Sequence, residues 1–489
     1  MKYRKDATPI ETINRILFIL KECKIKVKWH FYKFANLFYS CRVFIKDYPL
    51  IGTNGKGLNK DLALASGLSE FMERLQTFNL IKPMFCSSKL ELNGIITQQV
   101  NHDDIYPVKQ SYPKLKAILP DIYHECIEYQ NVITKDLIYV PYLYISSTCG
   151  TNGLCAGNSY YEALSQGICE VLERYCVRQY FLHKTILKTI DPNSLFSDIL
   201  QDNISKLKAL GLNVLIKDLS FGIYPVIGVI VLDSENNYIF AVGCDTDIEI
   251  AIQRCFTEIF QGLTLKNYHS KFHKFANSVN TIDNFHKMFR NNNADLDKTI
   301  LLGETIDAKT LPFRSYANNK QVLDYLIEIV TKNHGNIYVK NYSFLGFNTY
   351  HIYIPEMSEI NSFNLDLIKN KVFLNRAMFD SQNIDSTYMD NFSSVIDKTQ
   401  FSRCGEFFNL DLMFKEDINN INSRGFKIIV TEGYNQKSTY CNTLNFDLPA
   451  STLYCKKCFF KKKCYYTKWK QYFNILKNKL GNYEKNINY

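Results

Sequence analysis

Ala63-Leu64-Ala65-Ser66-Gly67-Leu68-Ser69-Glu70-Phe71-Met72-Glu73-Arg74 decides how this chain is read, because it recurs. Its second form is Ala163-Leu164-Ser165-Gln166-Gly167-Ile168-Cys169-Glu170-Val171-Leu172-Glu173-Arg174. Its third form is Ala251-Ile252-Gln253-Arg254-Cys255-Phe256-Thr257-Glu258-Ile259-Phe260-Gln261-Gly262. Each copy places apolar residues at helical spacing and leaves a polar stripe on the other face. Residues three and four apart lie above one another on a helix, so Ser66, Glu70 and Glu73 stack. Gln166, Glu170 and Glu173 stack in the second copy, with Asn158 and Glu162 in the turns before, and Arg254, Glu258 and Gln261 stack in the third. One such stripe alone reads as the solvated face of an amphipathic helix. Three matching copies read as duplicated units whose stripes point to one place. Glu70, Glu73, Glu162, Glu170, Glu173 and Glu258 are then expected to converge. Carboxylates that close repel, and one takes up a proton unless cations intervene. Hard divalent cations with oxygen ligands answer that need, and Mg²⁺ is commonly held by a few carboxylates together with substrate phosphates.

The totals set outer limits. A length of 489 residues is a soft prior for two or three domains. An apolar content of 46% allows a large core. The net charge of +10 gathers toward the C-terminus and reads as a local basic patch, not a nucleic-acid surface. The start, Met1-Lys2-Tyr3-Arg4-Lys5, lacks the apolar run of a secretory signal. No uncharged apolar run is long enough to span a bilayer. Fifteen cysteines without a signal are expected as reduced thiols or metal ligands in the cytoplasm.

Along the chain, the spacing of Ile10, Ile13, Ile16, Leu17 and Leu20 predicts a helix over 8–22, with Pro9 in its first turn. A strand is expected near 41–45. Gly52-Thr53-Asn54-Gly55-Lys56-Gly57 reads as a loop into the first copy, either a turn or an anion-binding backbone; it is not a Walker A pattern. Val140–Ile145 reads as a strand, and 149–158 as a Gly-rich link into the second copy. Pro225–Leu232 and Tyr238–Gly243 read as a hairpin around Ser234–Asn237. Residues 268–318 read as a surface excursion, 321–332 as a helix, and 337–339 and 350–354 as strands. The recurrence of strand, loop and helix predicts an α/β or α+β architecture of related units over 1–360. Beyond that point helical patterns dominate. Cys441, Cys455, Cys458 and Cys464 can supply four thiolates for Zn²⁺ or an Fe–S cluster, or they are four unrelated reduced cysteines. The segment 361–489 is therefore expected as a small helical, Cys-bearing C-terminal part with a basic tail.

Taken together, these residues resemble the YcaO family. Asn54-Gly55-Lys56-Gly57 with Ser66, Glu70, Glu73 and Arg74 looks like its first signature. Ala156-Gly157-Asn158 with Glu162, Gln166, Glu170, Glu173 and Arg174 looks like its second, and Arg254 with Glu258 is similar to its third. Lys5-Asp6-Ala7 with Glu11-Thr12-Ile13 resembles the opening of the members linked to β-methylthiolation of a small-subunit ribosomal protein.

The resemblance implies a YcaO-like fold around a Mg-nucleotide site and an ATP- and Mg²⁺-dependent enzyme. Such enzymes phosphorylate the oxygen of a peptide backbone amide after a nucleophile has attacked its carbon. The product is an azoline (cyclodehydratase type) or a thioamide. By matched position, Glu70, Glu73, Glu170, Glu173 and Glu258 would hold Mg²⁺. Lys5, Thr12, Arg174 and Arg254 would contact phosphates, and Ser66, Asn158, Glu162 and Gln166 would complete the nucleotide site. Arg254, Glu173 and Glu258 would carry the chemistry. Thr12 stands where close relatives have Ser and keeps the hydroxyl. The end, Asn486-Ile487-Asn488-Tyr489, lacks the Pro-rich tail of many azoline-forming members. Expected partners are a peptide or protein substrate and a separate leader-binding or sulfur-donor protein, or a radical methylthiotransferase. A homodimer with no membrane association is also expected.

Overall fold

A computed structural model describes residues 4–46, 48–80, 126–195, 197–276, 284–288 and 294–361, with 472, 475, 476 and 478–483. The chain divides into two compact units. The first comprises residues 1–80, 129–137 and 148–361; the second comprises 81–128, 138–147 and 362–489.

In the first unit, helix α1 (Pro9–Glu22) starts as its sequence predicts. The Thr8 hydroxyl accepts from the Glu11 amide at 3.3 Å, and the Glu11 carboxylate accepts from the Thr8 amide at 2.7 Å. This reciprocal cap satisfies two donors that the first turn leaves open. Ile13, Ile16 and Leu20 form its buried face. Strands β1 (Val27–Phe34), β2 (Phe38–Ile45) and β3 (Tyr48–Gly57) make an antiparallel sheet in the order β1-β2-β3. The Gly-Lys-Gly stretch expected as a loop is thus the end of β3. Glycine is required there because β3 lies directly on helix α2 (Lys60–Gln76). A Cβ on Gly55 would stand 2.0 Å from the Ala63 carbonyl oxygen and 2.3 Å from the Gly67 nitrogen.

The repeat is structural as well as sequential. Strand β6 (Leu154–Gly157) leads into α4 (Tyr160–His183), and β10 (Tyr238–Cys244) leads into α6 (Ile248–Ile259). Asn59, Ser159 and Asp247 cap the three helices, each four residues before the alanine that opens its copy. Gly55 and Gly243 stand eight residues before Ala63 and Ala251, and each meets that alanine's carbonyl oxygen. Burial is nearly the same along the copies. Residues 63/64/67/68, 163/164/167/168 and 251/252/255/256 are buried, while 66/70/73, 166/170/173 and 254/258/261 remain half-buried.

A second sheet runs β10-β9-β8-β7-β11, where β7 is Thr189–Ile190, β8 Asn213–Asp218, β9 Val226–Leu232 and β11 Thr305–Ile306. A third carries β4 (Cys126–Asn131), β12 (Tyr338–Asn341), β13 (Asn348–Tyr353) and β6 in that order. The β9–β10 hairpin and the helix α7 (Asn319–His334) are where the pattern places them. Phe256 and Phe260 of α6 pack on the β1–β2 hairpin, with Phe34 and Phe260 stacked at 4.2 Å and Phe38 and Phe260 at 4.9 Å. That aromatic contact brings the hairpin before the first repeat helix against the helix of the third repeat.

Two expectations are corrected. The strand expected over Val140–Ile145 stops: β5 is Leu137–Pro141, and helix α3 (Tyr142–Thr148) follows. Pro141 has no N–H for a ladder and fits a helix entry. The excursion expected over 268–318 is partly core. Phe285, Ala294, Leu296 and Ile300 are buried, and the Tyr238 hydroxyl donates to the Ala294 carbonyl at 2.6 Å. Strand β1, helix α5 (Asp198–Ala209) and β8 lacked a periodicity clear enough to read. The Cys441, Cys455, Cys458 and Cys464 quartet lies outside the described residues.

Gly55→Ala is expected to cost about 2–3 kcal/mol, because the added methyl meets backbone that cannot rotate away. Urea unfolding checks this; a midpoint equal to that of the parent chain contradicts the β3–α2 contact.

Candidate functional site

The three polar stripes form one charged cluster inside the first unit. Arg74 lies between its helix neighbours, with Nε 3.4 Å from Glu73 and 3.7 Å from Glu70. Arg174 pairs with Glu170 at 2.6 Å. Two contacts cross between repeats. Lys56 of β3 forms an ion pair with Glu258 of α6. Arg254 of α6 donates to the Gln166 side chain of α4 at 2.8 Å and lies 3.4 Å from Asp245. Glu70 feels Glu170 across the gap, and Glu173 feels Lys56 and Arg254. The expected convergence of Glu70, Glu73, Glu170, Glu173 and Glu258 is therefore what the fold builds. The side chains keep between 13% of their surface (Glu73) and 38% (Glu70), so they line a cleft and are not sealed in a core.

Electrostatics in this cleft are strained. Burial raises the Glu73 carboxyl to about 8; Arg74 opposes the rise, while Glu170 and Glu70 add to it. Burial raises Glu173 to about 7, opposed by Lys56 and reinforced by Glu170. Glu70 is raised as well, again mainly by burial. Burial likewise lowers Lys56, although Glu173 and Glu70 favour its charge. Burial thus outweighs the neighbouring protein cations at Glu73 and Glu173 and shifts both carboxyls toward the protonated form.

A second cluster borders the first. Glu162, expected among the converging glutamates, stands apart from them. Its carboxylate accepts from the Asp6 amide at 2.9 Å and from Asn158 Nδ2 at 3.2 Å, and Lys5 Nζ lies 3.2 Å away. Burial pushes Glu162 up, but Lys5 and these donors outweigh it, and its pKa falls below the ordinary range. Thr12 Oγ1 lies 2.9 Å from Asn158 Oδ1. The segment before α1 also carries Arg4, which pairs with Asp245 and reaches Thr246 at 3.3 Å. Lys5, Thr12, Asn158 and Glu162 are thus joined in one hydrogen-bonded group. Ser66 is half-buried on α2, one turn before Glu70.

Sequence reasoning missed Lys56, Asp245, Arg4 and Asp6. Asp245 stands at the repeat position of Gly57 and Gly157, so the aligned copies carried a signal there. Lys56 was visible in the Gly-Lys-Gly stretch, but its reach to Glu258 was not.

Among the described residues no group of three or more Asp, Glu, His or Cys is set to hold a metal ion. The donors nevertheless suit Mg²⁺. They are oxygen-only, partly open and too crowded to ionise together, and a hard divalent cation relieves that crowding. No helix among the described residues is long and apolar enough to cross a membrane.

The description "YcaO cyclodehydratase, ATP- and Mg²⁺-binding" matches residues 54–358. The chain belongs to the YcaO family. It is 26% identical over 357 residues to the Escherichia coli K12 ribosomal protein S12 methylthiotransferase accessory factor YcaO, covering 66% of this chain and 60% of that protein. An uncharacterised Haemophilus influenzae protein is 26% identical over 355 residues, with the same shares. The chain therefore spans about 60% of the length of these curated relatives. The structure of YcaO from Methanopyrus kandleri bound with AMPPCP and Mg²⁺ aligns with a TM-score of 0.53 at 18% identity, covering 73% of this chain and 93% of that one. The fold is thus the α+β YcaO fold.

Glu73 and Glu173 make stability depend on pH. Folded, they keep protons up to about 8 and about 7; unfolded, they lose them near the ordinary glutamate value of about 4.3. The folded chain binds more protons across that interval, so their contribution falls as pH rises from about 4.5 through 8. Urea midpoints from pH 5 to 9 without Mg²⁺ are expected to fall more steeply for the parent chain than for Glu73→Gln/Glu173→Gln. Millimolar Mg²⁺ is expected to flatten the parent's slope. Parallel slopes for parent and variant contradict the assignment.

Proposed function

We propose that this chain is an ATP- and Mg²⁺-dependent enzyme that activates a backbone amide of a peptide by phosphorylating its oxygen. The observation that carries this reading is the meeting of Glu70, Glu73, Glu170, Glu173 and Glu258 from three helices, tied across repeats by Lys56 and Arg254. A cleft of carboxylates and cations without a poised thiol or imidazole suits phosphoryl transfer, where positioning and charge compensation do most of the work.

The reaction balances simply. A hydroxyl, thiol or hydrosulfide adds to the amide carbon, the amide oxygen takes the γ-phosphoryl group as the terminal P–O bond of ATP breaks and ADP departs, and that oxygen then leaves as phosphate. Loss of the nucleophile's proton and the amide N–H proton leaves C=N in an azoline; with sulfide the new carbon–sulfur bond becomes C=S in a thioamide. Glu70, Glu73, Glu170, Glu173 and Glu258 would hold Mg²⁺. When bound, Mg²⁺ offsets the negative charge of the transferred group. Arg254, held between Gln166 and Asp245, is already oriented toward the carboxylates and offsets charge in transfer without reorganising. Lys5, Thr12 and Arg174 contact phosphates, while Ser66, Asn158, Glu162 and Gln166 hold the rest of the nucleotide. Residues 1–360 form the catalytic part and 361–489 an appended part, with Zn²⁺ or an Fe–S cluster at its four cysteines. The enzyme works in the cytoplasm as a homodimer, and a separate protein recruits the peptide or supplies sulfur.

A second reading follows from the 26% identity to the S12 methylthiotransferase accessory factor. In it the same nucleotide site serves as a switch for a radical methylthiotransferase.

Glu173→Gln and Glu258→Gln are each expected to lower Mg²⁺-dependent ATP hydrolysis by about 100-fold or more, measured as phosphate release. Unchanged rates in both folded variants refute the site. For the second reading, the mass of ribosomal protein S12 from a deletion strain should lose the methylthio group; an unaltered mass removes that role.

A further inference from the structure

Asp245 lies between two guanidiniums, Arg4 and Arg254, with its side chain only 5% exposed. It stands at the corner between β10 and α6, and that corner is fixed by backbone bonds. The Asp245 amide donates to the Pro225 carbonyl at 3.2 Å, and its Oδ1 accepts from the Asp247 amide at 3.0 Å. The carbonyl of the next residue, Thr246, accepts from the Arg314 amide at 2.7 Å. The carboxylate is therefore an anchored point, and the two long arginine side chains are the parts that can move.

The arginines do not share it equally. Arg4 donates to Oδ1 and also reaches the Thr246 hydroxyl at 3.3 Å. Arg254 faces Oδ2 through Nη2 at 3.4 Å, longer than the about 2.7–2.9 Å of a charge-assisted hydrogen bond. The same Nη2 donates to Gln166 of α4 at 2.8 Å. Burial works against the Arg254 charge, and Asp245 leads the groups that favour it. Arg254 is thus attracted by Asp245 without being gripped by it, and its side chain keeps 27% of its surface.

Arg4 is not needed to pin its own segment. The Asp6 amide donates to Glu162 at 2.9 Å, and the Asp6 carboxylate accepts from Asn319 Nδ2 at 2.8 Å and from the Ser159 hydroxyl. Lys5 Nζ lies 3.2 Å from Glu162. Asp245 has the greater need, because a buried carboxylate is stable only when paired and hydrogen-bonded. Without Arg4 the two-point pairing that arginine and carboxylate favour would draw Arg254 onto Asp245. Arg254 would then give up Gln166 and turn away from the cleft.

We propose that Arg4 is a positioning residue for Arg254. By satisfying Asp245 it keeps that carboxylate from capturing Arg254, and the Arg254 guanidinium stays available to the phosphates of a bound nucleotide. Two cations on one carboxylate leave a single positive charge in excess, and the geometry puts it on the arginine that faces the cleft. This deepens the proposed nucleotide site and rests on it, because Arg254 has this role only if phosphate binds there.

Calorimetric titration of the full chain with AMPPCP in millimolar Mg²⁺ tests it. Arg4→Ala is expected to weaken binding about tenfold, the order of one lost charge-assisted hydrogen bond. Adding Asp245→Asn removes the captor, and the double variant is expected to return to within about threefold of the parent. A role confined to pinning the segment gives the opposite result, since the double variant pins it no better than Arg4→Ala. Arg4→Lys keeps a cation on Asp245 and is expected to bind like the parent. If Arg4→Ala does not fold, Arg4→Gln with and without Asp245→Asn is read in the same way. Parental affinity in Arg4→Ala, or a double variant no tighter than the single, overturns the proposal. ATP hydrolysis by the parent separates the two claims. Rescue without hydrolysis upholds Arg4 and counts against the enzyme assignment alone, whereas hydrolysis without rescue counts against Arg4 alone.

Discussion

Lys56 reaches from the first repeat to Glu258 of the third, and Arg254 reaches from the third to Gln166 of the second. These two links hold together a set of carboxylates that would otherwise drive the repeats apart. Two like charges about 4 Å apart cost on the order of 4 kcal/mol at an effective dielectric near 20. The chain therefore interleaves Arg74, Arg174, Lys56 and Arg254 among the glutamates and still leaves Glu73 and Glu173 inclined to stay protonated. The residual strain favours a cation that the chain does not itself supply.

The rest of the first unit serves this meeting. Glycines at 55 and 243 let each strand lie against its helix, and a cap four residues before the alanine fixes each helix start. Phe256 and Phe260 dock on the β1–β2 hairpin, which sets β3, and with it Lys56, against α6. Arg4 and Arg254 share Asp245, so the segment before α1 and the third repeat are anchored on one buried carboxylate.

Much of this was legible because helical periodicity survives duplication. Ser66, Glu70 and Glu73 repeat as Gln166, Glu170 and Glu173 and again as Arg254, Glu258 and Gln261, and that spacing alone placed five glutamates on facing stripes. Glu162 was misplaced because it lies on the same helix one turn early, where its stripe has already turned toward Lys5 and Asn158. Lys56 read as part of a loop because glycines usually punctuate structure, whereas here they permit close packing of a strand on a helix. Buried pieces of 268–318 were hidden by polar composition: Asn284 and Asp295 surround Phe285 and Leu296, and only tertiary contact with Tyr238 reveals their burial. Cross-repeat contacts such as Arg254 to Gln166 join residues 88 apart and have no local signature.

Anomalous scattering from Mn²⁺ in crystals grown with AMPPCP tests the convergence of the three helices most directly. The expected result is manganese bonded to carboxylate oxygens from α2, α4 and α6 together, drawn from Glu70, Glu73, Glu170, Glu173 and Glu258. Manganese bound by one helix only, or at a site remote from these glutamates, contradicts a shared metal-nucleotide site built by the repeats.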